Sequence, residues 1–236
     1  MIRIALQTCL TILALLISAS ASVAAQCAFD SNECTLKKLC EVATTVDGFE
    51  RGGHPGEDEI PNMILLPRAA DELEIPLVSS GGQADARSLV ASLAMEADGM
   101  NIGTRFMATV EAPIHQNVKD AIVAASELDT RLIMRPLRNT ERVLNNSAVE
   151  RLLTMEKTKG SDITFEDILT DVVGVYPKVM IDGDMDVGAW SCGMVAGLIH
   201  DIPTCKDLIN GIMAEAEILI RARLEGMLFD VKSAAA

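Results

Sequence analysis

Between Thr44 and Gly103 the chain alternates three short strand-like runs with two stretches of helical spacing. Thr44 to Asp47 is a β-type run that stops at Gly48 and leads into a glycine-dense loop through Gly56. Leu65 to Leu73 has helical character. Ile75 to Ser79 is a compact candidate for a buried strand, ended by Gly81-Gly82. From Ala84 to Met95, Leu89, Val90, Leu93 and Ala94 recur at the spacing of one helix face. Met100 to Ile102 is a third strand-like run, closed by Gly103. This order of strand, helix, strand, helix, strand predicts parallel strands with covering helices, an α/β fold.

Two of the glycine stops, Ser79-Ser80-Gly81-Gly82 and Gly103-Thr104-Arg105, stand one strand–helix unit apart. In a parallel α/β barrel those strand ends are neighbours on one face. Glycine lets backbone approach a ligand closely, and free N–H groups at the start of the next helix attract an anion. Loops after the last two strands of such barrels commonly form a phosphate site. Taken singly, each glycine pair is more often an ordinary tight turn. No Gly-x-Gly-x-x-Gly fingerprint follows a strand, so a Rossmann nucleotide domain is not supported.

Outside this core the signals are of other kinds. Arg3, the apolar stretch from Ile4 to Ile17 and the small residues from Ser18 to Ala25 predict a secretory signal over residues 1–25, cut before Gln26. The apolar stretch is short for a membrane span, so no stable span is expected after cleavage. Gln26 to Thr35 reads as a junction and Leu36 to Ala43 as a short helix. From Pro113 onward helices and loops are expected, the clearest helix carrying Leu208, Ile209, Ile212, Met213, Ala216 and Ile220 as one apolar stripe. The 236 residues are 49% hydrophobic, enough for a sizeable core. A net charge of −14 makes nucleic acid a poor partner and a small molecule a better one. The six cysteines include no Cys-x-x-Cys pair, so neither a disulfide scaffold nor a zinc site is expected. Asp182, Asp184 and Asp186 resemble the start of a calcium loop, but Val187 replaces the required glycine and Gly193 the bidentate glutamate. No metal is expected. His115, His200 and Trp190 read as structural.

A series of segments resembles one family in order. Asp47-Gly-Phe-Glu-Arg-Gly-Gly-His-Pro-Gly-Glu-Asp58 is similar to the histidine loop of nitronate monooxygenases and related NADH:quinone reductases. Ile75 to Gly82 resembles the family's next strand and phosphate loop. Ala97 to Thr109, with Glu111 to His115, resembles its last barrel strand. The likeness continues through Leu137 to Val143 and Gly183 to Met194. The resemblance implies FMN as cofactor, its phosphate held by the Ser80-Gly81-Gly82 loop and by Gly103 and Thr104. It implies His54 as the base toward a nitroalkane, a role suited to an imidazole that titrates near neutrality. The implied chemistry is oxidation of nitronates or nitroalkanes with oxygen, the alternative being transfer from NADH to a quinone. Arg51 departs from the pattern, standing where many relatives have a small residue or Cys.

A closed barrel of this type takes eight strands and about 250 residues. By resemblance the chain supplies the last three, giving a partial TIM barrel over residues 26–112 and a helical region over 113–236. Three explanations are expected to compete: a partial gene product, a degenerate non-catalytic member, or a chain that shares strands by oligomerising. The signal predicts an extracytoplasmic location, and the family a cytoplasmic one.

Overall fold

The computed structural model describes residues 43–228. The signal read at residues 1–25, the junction at Gln26 to Thr35 and the helix expected over Leu36 to Ala43, apart from Ala43 itself, lie outside the described residues.

The predicted alternation is present. Strands β1 (Thr44–Asp47), β2 (Leu77–Ser80) and β3 (Gly99–Asn101) form a parallel sheet in that order. Asp47 pairs with Ser80 and Ser80 with Asn101, so the three strands end level with one another. All four residues of β2 are buried, as a central strand requires. Helix α1 (Asn62–Glu72) joins β1 to β2, and α2 (Ala86–Ala94) joins β2 to β3. Helix α1 starts three residues before its apolar spacing becomes visible, because its first N–H groups are capped from a distance. The Asn62 N–H donates to both carboxylate oxygens of Glu50, at 3.1 and 3.3 Å. Leu66 of α1 then packs with Leu77 and Ala97. Helix α2 is started by a capping box, in which Asp85 accepts from the N–H groups of Arg87 and Ser88.

The remaining elements are α3 (Thr104–Met107), α4 (Gln116–Ala124), β4 (Thr130–Ile133), β5 (Glu141–Leu144), α5 (Ser147–Lys159), α6 (Phe165–Val172), α7 (Tyr176–Met180) and α8 (Cys205–Ile218). Residues 113–236 are therefore not helices and loops alone: β4 and β5 pair antiparallel, Thr130 opposite Leu144 and Ile133 opposite Glu141. The hairpin was hidden for two reasons. Its strands, Thr-Arg-Leu-Ile and Glu-Arg-Val-Leu, do not alternate cleanly. Its connection reverses at Met134 and Arg138, whose φ angles of 59° and 51° put non-glycine residues where a turn normally shows glycine.

Helix α8 places Leu208, Ile212 and Ala216 against Leu89, Val90 and Met100, following its sequence stripe, while Ile220 is exposed. Trp190 is fully buried with Val118, Ile122 and Ile199. Among the described residues, no helix is long and apolar enough to cross a membrane.

Candidate functional site

Beyond the level ends of the strands, the β2 loop is shaped by one amide. Asn62 Nδ2 donates to the carbonyls of Ser80 and Gly81, each at 2.7 Å, and the Gly48 N–H donates to the same Ser80 carbonyl at 3.0 Å. Ser80 is buried, and its Oγ accepts a long bond of 3.5 Å from Asn101 of β3. Gly81 and Gly82 then turn through φ angles of +81° and +72°. A Cβ on Gly81 would also lie 2.9 Å from Arg51 Cβ and 3.1 Å from the Gly48 carbonyl. Glycine here serves both the turn and the close seat of the histidine loop.

After β3, Gly103 opens α3, and a Cβ on it would meet nothing within 4 Å. Thr104 is buried, and its Oγ1 accepts from the Gly193 N–H at 3.0 Å. With that lone pair used, its hydroxyl hydrogen is left to donate elsewhere. The backbone N–H groups of Gly81, Gly82, Gly103 and Thr104 donate to no acceptor among the described residues. Gly81 and Gly82 are half-buried and Thr104 is buried, where N–H groups are ordinarily satisfied, while Gly103 is exposed; the four lie together at two neighbouring strand ends.

The histidine loop is fixed by backbone through the residues just before His54. Gly52 lies so close to the segment around Cys192 and Gly193 that a Cβ on it would stand 2.6 Å from the Gly193 nitrogen. Gly53 exchanges two hydrogen bonds with Arg142 of β5, at 3.1 and 2.7 Å. The Met194 N–H donates to the Glu50 carbonyl at 3.1 Å. His54 follows directly and its side chain is exposed. The structure thus brings Ser80, Gly81 and Gly82 into contact with the histidine loop itself, and links Thr104 to it through Gly193. Arg51, the departure from the family pattern, forms an ion pair with Asp47 at 2.9 Å and backs Gly81.

Several contributors were not singled out in the sequence. Arg142 is buried, donates to the Phe49 carbonyl and to Thr130 Oγ1, and lies over the Phe49 ring. Burial holds its guanidinium below the usual arginine range, but an arginine stays charged under any ordinary condition. Asn62, Gly193 and the pair Glu141 and Ser191 carried no signal of their own, although Glu141, Arg142, Ser191 and Gly193 lie within segments that resemble the family. Burial pushes the Cys192 thiol up to about 12, leaving it unreactive. His115 caps α4, its Nδ1 accepting from the Asn117 N–H at 3.1 Å, a structural role as expected. Asp186 accepts from the N–H and hydroxyl of Ser147 at the start of α5. Among the described residues, no group of three or more His, Cys, Asp or Glu side chains is placed to hold a metal ion.

A parallel sheet with covering helices, whose glycine loops gather beyond the carboxyl ends of its strands, defines an α/β protein. The nitronate monooxygenase family model matches residues 12–215, and the chain belongs to that family. It is 32% identical over 210 residues to the (3aS,4S,5R,7aS)-5-hydroxy-7a-methyl-1-oxo-octahydro-1H-indene-4-carboxyl-CoA dehydrogenase of Rhodococcus jostii, a match covering 74% of this chain and 58% of that relative. It is 28% identical over 177 residues to a probable nitronate monooxygenase of Bacillus subtilis, covering 72% of this chain and 50% of the relative. Among solved structures, FabK from Thermotoga maritima superposes with a TM-score of 0.73 at 30% identity, over 82% of this chain and 61% of that one. A nitroalkane oxidase from Streptomyces ansochromogenes shares the fold, with a TM-score of 0.64 at 22% identity over 80% of this chain and 55% of that one. The chain spans between half and about three-fifths of the length of these proteins.

Proposed function

We propose that this chain carries the flavin-phosphate and histidine portion of an FMN-dependent oxidoreductase that oxidises nitronates or nitroalkanes with oxygen, its three parallel strands being the last three of a (β/α) barrel. The observation that carries this reading is the set of four N–H groups, on Gly81, Gly82, Gly103 and Thr104, left without acceptors at adjacent strand ends. The cradle fits an FMN phosphate. A dianion accepts several hydrogen bonds at once, the Thr104 hydroxyl adds a donor, and the space beside Gly103 is open. Ser80 contributes by setting the loop through its carbonyl, held by Asn62 and Gly48.

FMN, when bound there, would supply the two-electron acceptor for an oxidation completed by oxygen. The chain's own part is proton handling. His54 is exposed on a loop whose backbone is fastened at Gly52 and Gly53, so its imidazole can meet a substrate without losing its position. A nitro group acidifies the neighbouring C–H, and the neutral imidazole takes that proton while the electron pair stays on the substrate as a nitronate. A nitronate supplied ready-made bypasses this step.

The CoA-thioester dehydrogenase among the relatives favours a second reading, since a thioester carbonyl also acidifies the adjacent C–H and the same base would serve. Transfer from NADH to quinone is the remaining family alternative. Turnover of propionate 3-nitronate with oxygen, of an acyl-CoA, and of NADH with a benzoquinone separates the three. The proposal expects the nitronate to be consumed. It also expects His54→Asn to abolish turnover of nitroalkane while sparing that of preformed nitronate. Loss of both activities, or of neither, contradicts the role given to His54.

A further inference from the structure

Beside the histidine loop, three polar side chains form a directed chain. The Tyr176 phenol donates to Ser191 Oγ at 2.6 Å, and the Ser191 hydroxyl donates to Glu141 Oε1 at 2.5 Å. The Ser191 backbone N–H donates back to the phenol oxygen at 2.9 Å, which fixes the phenol's place at the start of α7. Glu141 is buried, at 8% exposure, and makes no ion pair among the described residues. Tyr176 is 42% exposed, so the chain runs from the surface to a buried carboxylate. Its middle member adjoins the site: a Cβ on Gly53 would stand 3.7 Å from Ser191 Oγ, and His54 is the next residue. Glu141 is also the neighbour of Arg142, which pairs with Gly53.

We propose that Tyr176, Ser191 and Glu141 form a proton relay that discharges His54 after it has accepted a proton, which rests on the reading of His54 as the base. A proton passed from the imidazolium to the phenol oxygen forms a new O–H bond there as the N–H bond breaks. The phenol's own proton moves to Ser191 Oγ and the serine proton moves to the Glu141 carboxylate, so each hydroxyl oxygen gains one O–H bond as it loses another and the carboxylate gains one. The histidine is left neutral and Glu141 protonated. The three are positioning and relay residues, placed one step away from the substrate.

Burial of the phenol raises Tyr176 above the usual tyrosine range. The bonds from Ser191 oppose this, and the nearby Glu141 charge and Cys192 add to it. The phenol is therefore protonated at neutral pH and donates in the direction the geometry shows. The charged and titratable groups acting on it are Glu141 on β5 and Cys192 in the adjoining segment.

The chain contains one tyrosine, so tyrosinate absorbance reports Tyr176 alone and needs neither flavin nor substrate. The relay predicts that Glu141→Gln moves the midpoint of that titration to lower pH, and that the difference shrinks when Ser191→Ala is present in both backgrounds. An unchanged midpoint in Glu141→Gln overturns the coupling. In turnover, Tyr176→Phe and Ser191→Ala are each expected to lower kcat about tenfold or more, against the ~10²–10⁴ that positioned proton transfer contributes, with KM and flavin content kept and the solvent deuterium isotope effect altered. Wild-type kcat in both variants overturns the relay. A wild-type chain that binds no flavin yet shows the coupled titration defeats the flavin reading and leaves the proton chain standing.

Discussion

The Arg142 guanidinium lies 4.8 Å from the centre of the Phe49 ring while donating to that residue's own carbonyl at 3.3 and 3.1 Å. The backbone of Arg142 meanwhile pairs with Gly53, so one residue of the β4–β5 hairpin fastens the histidine loop at its beginning and beside His54. Charge-assisted bonds of this kind contribute about 1.5–3 kcal/mol each way they are measured, and a lysine reproduces the charge but not the fork or the stacking. Arg142→Ala is expected to lose roughly 2–3 kcal/mol of stability in urea unfolding, with Arg142→Lys in between. Equal midpoints for all three proteins would refute the clamp.

The two glycine loops should respond differently to a methyl group. Gly81 sits at φ +81° with Arg51 and Gly48 in the way of a Cβ, so Gly81→Ala should cost at least about 1–2 kcal/mol from backbone strain before any clash is counted. Gly103 has open space and ordinary φ, so Gly103→Ala should stay within about 0.5 kcal/mol of wild type in stability. Yet the added methyl would occupy the space assigned to phosphate, and FMN affinity should fall. Unfolding curves and flavin titration of both variants check the contrast.

Thr104 is given two tasks, accepting from Gly193 and donating to the ligand. Thr104→Val removes both in nearly the same shape and should cost about 1 kcal/mol of stability together with a loss of FMN affinity. Thr104→Ser should restore most of each. A valine variant that binds FMN as well as the serine variant would remove the hydroxyl from the site.

Much of this arrangement was legible in the sequence because β2, buried along its whole length, leaves a compact run, and glycine follows the end of each strand of the parallel sheet. β1, β2 and β3 fell within two residues of their expected places, and Ser80, Gly81 and Gly82 lie against the histidine loop. The hairpin was not legible, because Met134 and Arg138 take left-handed φ without glycine and its strands mix charge with apolar residues. Nor was the wiring between loops. That Asn62 holds Ser80 and Gly81, or that Gly193 joins Gly52 to Thr104, depends on contacts between residues 18 or more positions apart, which no local pattern encodes.

Cys192 offers a check on the packing around the site. Its thiol is fully buried and pushed up to about 12, so it remains a thiol throughout the neutral and mildly alkaline range and becomes thiolate only near that value. In the native protein, alkylation mapped by mass spectrometry should spare Cys192 until denaturant is added. Rapid native labelling there would mean that the segment from Trp190 to Met194 opens readily.

The phosphate cradle is the centre of the account, and competition between FMN and riboflavin tests it most directly. The two ligands share the ring and differ by the phosphate that Gly81, Gly82, Gly103 and Thr104 are proposed to hold. The account predicts that FMN co-elutes with the folded chain and that riboflavin is retained far more weakly. Equal retention of both ligands, or a folded chain that retains neither, would contradict it.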